Sequence, residues 1–208
     1  MSRLLIIGAG GHGAVVAEAA VDMGRWEAIE FLDDDPLVSK VLDLPVIGPI
    51  ADVSRQVDRS TEFLFAVGDN THRLELLNDA VGEGASIATV IHPSAQVSRS
   101  ATLGMGCVVF AGVVINARTV IGAGAIVNTA ATVDHDCTIG DGVHISPGAN
   151  IAGDVYVGSR TWIGIGSSVR EGIRIGNDSI IGAGSAVVSN VTDHVVVGGV
   201  PARRLDEK

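Results

Sequence analysis

From Ile91 to Val187 an aliphatic residue recurs at every sixth position for sixteen consecutive steps, through Val97, Leu103, Val109 and Ile115 to Ile175, Ile181 and Val187, with no insertion. Four places after each comes a second series of mostly small residues, among them Ala95, Ala101, Cys107, Thr119, Ala125, Ala131, Cys137, Ala149, Thr161, Ser167, Ser179 and Ser185. An α-helix would smear a six-residue period around its surface, whereas short strands joined by tight turns keep both series pointing inward. Gly often follows the large aliphatic directly, at Gly104, Gly122, Gly140, Gly158, Gly164, Gly176 and Gly182, where a sharp backbone turn is expected. The hexapeptide period predicts a parallel β-helix. With three hexapeptides per triangular coil and coils about 4.8 Å apart, it holds roughly five coils. A β-sandwich would instead need hairpin signals about every 8 to 12 residues.

Composition agrees with thin, regular layers: 27 Gly and only 3% aromatic residues leave small aliphatic side chains to make the core. The 208 residues suffice for two modest domains, an α/β domain over 1–88 and the β-helix over 89–208 with a C-terminal extension. A formal charge of −10 without a basic stripe argues against nucleic acid or an anionic membrane as partner. No apolar run approaches the roughly 20 residues of a membrane span. The apolar start halts at Gly8, unlike a signal peptide, and Cys107 and Cys137 both occupy small slots of the repeat, so a cytoplasmic protein without disulfides is expected.

Before the repeat, Leu4 to Ile7 reads as a buried strand, Gly8 to Gly13 as a glycine turn and His12 to Met23 as a helix. Ile29 to Leu32 is a second strand closed by Asp33, Asp34 and Asp35, and Phe63 to Val67 a third, ending in Gly68 before a helical stretch from Arg73 to Val81. This is a Rossmann-like half domain of parallel α/β type, lacking the second half that NAD would normally require. Gly8-Ala9-Gly10-Gly11-His12-Gly13 has the GxGxxG spacing in a strand-to-helix context. Its backbone amides suit a phosphate, and Asp33 or Asp34 could accept hydrogen bonds from a ribose or base. The competing reading is a glycine turn needed only for packing.

Among six histidines, His135 stands out within Val133-Asp134-His135-Asp136-Cys137, flanked by acids, as either a solvated turn residue or a general base. His144 lies half an eighteen-residue coil further on, so the two rings cannot meet within one prism; a joint role requires a neighbouring subunit. His12 sits in the glycine turn, where it contacts a nucleotide sugar or caps the helix, and His92, before Pro93, reads as linker. His72 and His194 carry no pattern. His135 and His144 lack an evident third ligand, so no metal is expected.

IIGAGGHG, FLDDD, AVGDN, NTAATVDHDC, VHISPGA and VGGVPA occur in that order over essentially the whole chain. With these segments it resembles the bacterial sugar O-acyltransferase family of sialic-acid and bacillosamine pathways, especially its acetyl-CoA-dependent N-acetyltransferases of nucleotide-linked 4-amino-sugars. The resemblance implies a left-handed β-helix homotrimer with acetyl-CoA between neighbouring helices and a nucleotide-sugar, UDP-linked by preference, on the N-terminal domain. It implies catalysis by His135 with Asp136, coenzyme contacts at His144, Ile165 and Ala183, and nucleotide-sugar contacts at Gly10, Gly11, His12, Asp33, Asp34 and Gly68.

Acetyl transfer from a thioester to an amine needs a base for the released proton and a donor for the oxyanion. Histidine suits the base, and Asp136 would fix its tautomer; Asn128, on the preceding coil wall, would orient the acceptor. No serine or cysteine is patterned as an acyl carrier, so direct attack in a ternary complex is expected. Three alternatives remain: an O-acetyltransferase of a sugar or sialic acid on the same scaffold, a non-catalytic nucleotide-binding trimerisation module, and an NAD oxidoreductase, which leaves the repeat unexplained. Binding of acetyl-CoA separates the enzyme from the module.

Overall fold

Leu4, Leu5, Ile6 and Ile7 are four apolar residues in a row, a run that only a strand covered on both faces can bury, and all four are fully buried. They belong to β1 (Arg3–Ile7) in a computed structural model that describes residues 2–205. The chain continues through α1 (Gly11–Met23), β2 (Ala28–Leu32), β3 (Lys40–Val41), β4 (Leu44–Gly48), α2 (Val53–Gln56), β5 (Thr61–Phe65), α3 (Asn70–Gly82) and β6 (Ser86–Ile87). These strands form one sheet in the order β3-β4-β2-β1-β5-β6, parallel except for the β3–β4 pair. Helix α1 buries Val16, Ala17, Ala19 and Ala20 and ends at Gly24, whose left-handed φ of 61° a side chain would resist. Leu77 and Ala80 of α3 close over Leu5, Ile7, Leu32, Phe63 and Phe65.

This domain differs from the expectation in several features: β5 covers Thr61–Phe65 rather than Phe63 to Val67, and β3, β4, α2 and β6 are additional elements. Helix α3 begins at Asn70 rather than Arg73, because the Asp69 carboxylate accepts the His72 N–H at 2.8 Å and caps the first turn. The β3–β4 hairpin turns through Leu42 and Asp43, both at positive φ (50° and 64°), without the Asn-Gly or Asp-Gly pair that announces such a turn.

Contacts divide the chain into two compact units, Met1–Pro93 and Ser94–Lys208. In the second, strands of two residues alternate with turns of four and stack into three parallel sheets, the walls of a β-helix. The first wall contains Val108–Val109, Ile126–Val127, His144–Ile145, Trp162–Ile163 and Ile180–Ile181. The second contains Val114–Ile115, Thr132–Val133, Asn150–Ile151 and Ser168–Val169, and the third Val120–Ile121, Thr138–Ile139, Tyr156–Val157 and Arg174–Ile175. Through the repeat, strands pair with those eighteen residues on, as in Ile115 with Val133 and Ile139 with Val157, and the last step shortens to sixteen, with Ile181 opposite Val197. The second residue of each strand points inward, and these are the repeat's aliphatics: Ile115, Val133, Ile145, Val157, Ile163 and Ile175 are each at most 1% exposed.

The small series has its own reason. Its side chains lie inside the corners, where carbonyls of the next coil need donors: Thr119 Oγ1 donates to Asp134 O at 2.6 Å, Thr161 Oγ1 to Gly176 O at 2.7 Å, and Ser167 Oγ to Gly182 O at 2.9 Å. The glycines after the aliphatics do not make the sharp turn. The left-handed corner falls two residues later, at Gly106, Gly124 and Gly142 but also at Arg118, Asp136, Asp154, Arg160 and Asp178. Gly104, Gly122, Gly140 and Gly158 are required by stacking instead, since a Cβ there would come within 2.7 Å of backbone in the next coil. Among the described residues no helix is long and apolar enough to cross a membrane.

Candidate active site

Asp134, His135 and Asp136 occupy the turn that carries the chain from the second wall to the third. Asp136 takes the left-handed corner (φ 61°), which swings its carboxylate back beneath the preceding ring: His135 Nδ1 and Asp136 Oδ2 are 2.7 Å apart. With Nδ1–H donated to the carboxylate, the lone pair is left on Nε2. The ring is 55% exposed, open to a second reactant. On the turn's other side Asp134 Oδ1 accepts the His135 backbone N–H at 2.8 Å and the Asn116 amide at 2.9 Å, and both hold the Asp134 carboxyl below its usual range.

The eighteen-residue coil brings two further residues to this turn. Arg118, one coil before Asp136, grips it with Nε to Oδ1 at 2.6 Å and Nη2 to Oδ2 at 2.7 Å. That guanidinium first, and the His135 ring second, hold the Asp136 carboxyl down at about 2. Gly153, one coil after His135, lies against the ring; a Cβ there would stand 2.6 Å from Cε1 and 2.8 Å from Nε2. Neither residue stands out in the sequence, although stepping by eighteen from Asp136 and His135 reaches both. Cys137 is buried, its Sγ donates to Ala152 O at 3.1 Å, and burial pushes its thiol up, all unlike an acyl-carrying thiolate.

His144 lies elsewhere, on the first wall. Its ring is 8% exposed, tilted against Trp162 with centroids 4.4 Å apart, and Trp162 Nε1 donates to Ser146 Oγ at 2.8 Å. These residues open a groove of about 460 Å³ that also includes Ile165, Ile180 and Ala183. The three residues to which the resemblance gave coenzyme contacts, His144, Ile165 and Ala183, therefore share one mostly apolar groove. Asn128 belongs to the same groove: its Nδ2 is 3.2 Å from His144 Nε2, so the structure brings it to His144 and not to His135. His135, on the corner between the other two walls, does not line this groove.

In the first unit the glycine turn links β1 to α1. Gly8 and Gly13 have packing reasons: Gly8 is at φ 107° with Ala66 O 2.8 Å from where a Cβ would stand, and a Cβ on Gly13 would strike Gly8 O. Gly10, Gly11 and Gly68 have none; a Cβ on any of them would meet no atom within 4 Å, so the backbone there is open to close approach. Asp33 Oδ2 accepts the Ala9 N–H at 2.6 Å and Oδ1 the Asp35 N–H at 2.8 Å, while Asp34 Oδ1 accepts the Ile50 N–H at 2.9 Å. Both carboxylates thus shape the loops around this turn. Arg73, which no sequence motif singles out, is 1% exposed and donates to Val67 O and Asn70 Oδ1, each at 2.8 Å. Burial, and secondly this guanidinium, push His12 down to about 4, so its ring is neutral at pH 7.

Comparison with known proteins follows the same division. Residues 3–80 match the PglD N-terminal domain, and residues 154–188 the bacterial transferase hexapeptide (six repeats). The acetyltransferase domain of PglB from Neisseria gonorrhoeae FA1090 is 41% identical over 99% of this chain and 100% of that chain, with a TM-score of 0.96; it has also been solved in complex with acetyl coenzyme A. A histidine-to-asparagine mutant of perosamine N-acetyltransferase from Caulobacter crescentus, in complex with CoA and GDP-perosamine, is 41% identical over 100% of this chain and 98% of that chain, with a TM-score of 0.95. The UDP-N-acetylbacillosamine N-acetyltransferase of Bacillus subtilis (strain 168) is 40% identical over 114 residues, 53% of this chain and about half of that protein's length (52%).

Proposed function

Since this chain belongs to the PglD-like family of hexapeptide-repeat acetyltransferases, we propose that it transfers the acetyl group of acetyl-CoA to the 4-amino group of a nucleotide-linked amino sugar. One observation carries the reading: an exposed imidazole whose Nδ1 lies 2.7 Å from a carboxylate, leaving Nε2 to accept a proton. The neutral amine attacks the thioester carbonyl carbon and forms the C–N bond, and the carbonyl electrons move onto oxygen. His135 Nε2 takes the proton the nitrogen sheds, Asp136 stabilises the resulting imidazolium, and collapse of the oxyanion breaks the C–S bond. The proton then passes from His135 to the departing CoA thiolate.

Acetyl-CoA lies along the first-wall groove, its thioester arm against Trp162, Ile165 and Ala183 with His144 at the inner end; the apolar lining supports this placement. The nucleotide approaches Gly10, Gly11, His12 and Gly68, with Asp33 and Asp34 shaping the loops, a reading supported by glycines that no packing contact demands. A UDP-linked sugar is the favoured acceptor. Because the groove and the His135 corner are on different parts of the prism, each reaction centre combines the groove of one subunit with His135 of its neighbour, and the active species is a homotrimer.

The test is acetylation by the purified protein with acetyl-CoA and, side by side, UDP-N-acetylbacillosamine and GDP-perosamine, reading released thiol and product mass. One of these acceptors should gain an acetyl group, and His135→Asn should lower kcat by on the order of 10²-fold to 10⁴-fold with the oligomer intact. Near-normal turnover by that variant would remove His135 from the reaction.

A further inference from the structure

Arg118 and Asp136 are eighteen residues apart and stand at the same corner of consecutive coils, each at φ 61°. The carboxylate oxygen that meets His135 Nδ1 at 2.7 Å is the one that Arg118 Nη2 holds at 2.7 Å, while Nε holds the other oxygen at 2.6 Å. An aspartate on an exposed turn has two side-chain torsions to lose before it can orient a ring, and a two-pronged guanidinium removes both. We propose that Arg118 is a positioning residue of acetyl transfer, acting on the His135 ring through Asp136; this rests on the reading of His135 as the base.

The same clamp occurs elsewhere in the helix. Arg160 grips Asp178 with Nε and Nη2 both at 2.6 Å, again eighteen residues apart and again with both residues in left-handed backbone. A stacked Arg–Asp pair is therefore one way this fold staples neighbouring coils, and stapling alone does not imply catalysis. What differs is the histidine: His135 is within hydrogen-bond reach of Asp136, whereas His194 Nδ1 stands 3.8 Å from Asp178. Nature has thus supplied a control in the same molecule, a clamp of matching geometry without a hydrogen-bonded imidazole.

The charged surroundings of His135 fix the expected sign. Its own turn contributes Asp134 and Asp136, the coil before contributes Arg118 beside the neutral Asn116, and the coil after contributes Asp154, whose N–H donates to His135 O at 2.9 Å, with Gly153 under the ring. One coil further, Arg170 and Glu171 face each other at 4.0 Å. Arg118 is the cation that offsets the Asp136 charge. Without it the carboxylate favours the imidazolium more strongly, and the base becomes available only at higher pH.

The experiment compares Arg118→Leu, Arg118→Lys, Arg160→Leu and His135→Asn in the full-length protein, using acetyl-CoA and whichever of UDP-N-acetylbacillosamine or GDP-perosamine the wild type acetylates faster. Arg118→Leu should lose about ten-fold in kcat, with KM for acetyl-CoA within about two-fold, as expected when a reacting group is misoriented while substrate binding is left intact. The acidic limb of its pH profile should move upward. Arg118→Lys keeps the charge without the fork, so its limb should stay near that of the wild type while kcat falls. Arg160→Leu should leave kcat and limb unchanged, although it lowers Tm about as much as Arg118→Leu. Arg118→Leu and Arg160→Leu with the same kcat and limb would overturn the inference; if Arg118→Leu does not fold, wild-type kcat in Arg118→Lys would do so. An active His135→Asn would sink the base assignment itself, whereas an inactive one beside an unshifted Arg118→Leu would sink only the role of Arg118.

Discussion

His12 and His135 are the same side chain put to different ends by what surrounds it. His135 stands in solvent on a carboxylate, while His12 is packed at the start of α1 near the buried Arg73, and burial first and Arg73 second lower it to about 4. The sign of the stability effect follows. Between roughly pH 6.5 and 4 the unfolded chain takes up a proton that folded His12 refuses, so the contribution is complete above 6.5 and is lost as pH falls toward 4, up to about 3 kcal/mol. In a Trp162→Phe background Trp26 is the single remaining indole, and urea unfolding followed by its fluorescence should show this loss; His12→Gln should flatten it. A slope unchanged by His12→Gln would assign the acid sensitivity to other groups. The histidines are visible in the sequence, but the groups that act on them are less so. Asp136 can be read because it is adjacent, whereas Arg118 and Gly153 are neighbours only through the coil, and Arg73 looks like an ordinary helix residue because nothing local announces that its charge is buried.

The turns of the β-helix make two separate demands on the backbone, the first general and the second confined to some of them. The corner residue must adopt left-handed φ, a cost of roughly 1–2 kcal/mol that Arg118, Asp136, Asp154 and Arg160 all bear, so glycine there is a convenience. After the third wall, the residue that follows the inward aliphatic, as at Gly104, Gly122, Gly140 and Gly158, must have no side chain, because the next coil's backbone occupies its place; after the second wall the same position carries Asn116 and Asp134. The substitutions Gly148→Ala and Gly140→Ala separate the two demands. Gly148 is a corner at φ 65° with open space around it, and alanine there should cost about 1 kcal/mol. A Cβ on Gly140 would stand 2.6 Å from Ser159 N, forcing neighbouring coils apart, and should cost about 3 kcal/mol. Urea midpoints with unchanged m-values measure both, and equal losses would contradict the distinction. The repeat's register is legible because one coil serves every layer and a single period describes them all. The β3–β4 hairpin escapes because Leu42 and Asp43 supply its positive-φ turn without a glycine, and the start of α3 because its cap is the Asp69 side chain, well ahead of Arg73.

At the scale of the whole molecule, the fold can be read from sequence further than the site. Sixteen repeat steps determine a stack of coils, but which wall carries a groove depends on what those walls present outward, and no six-residue period encodes that. On the first wall the groove is lined by His144, Trp162 and Ile180; the second presents Thr132, Asn150 and Ser168 at the corresponding positions. Asn128 illustrates the limit: it precedes His144 by 16 residues, short of a full coil, so the repeat does not pair them, and the structure joins them at 3.2 Å. If the groove of one subunit serves His135 of the next, two inactive chains should repair each other. His135→Asn removes the proposed base and keeps the groove; Ala183→Trp fills the groove from an exposed position and keeps His135. In trimers assembled from equal amounts of both, a given centre receives an intact groove from one parent and an intact histidine from the other about one time in four, so about a quarter of wild-type activity should return. A centre built within one chain would give none, because every chain in the mixture carries one of the two defects. Activity of the co-assembled trimers, set against either variant alone, decides whether the reaction belongs to the subunit or to the interface.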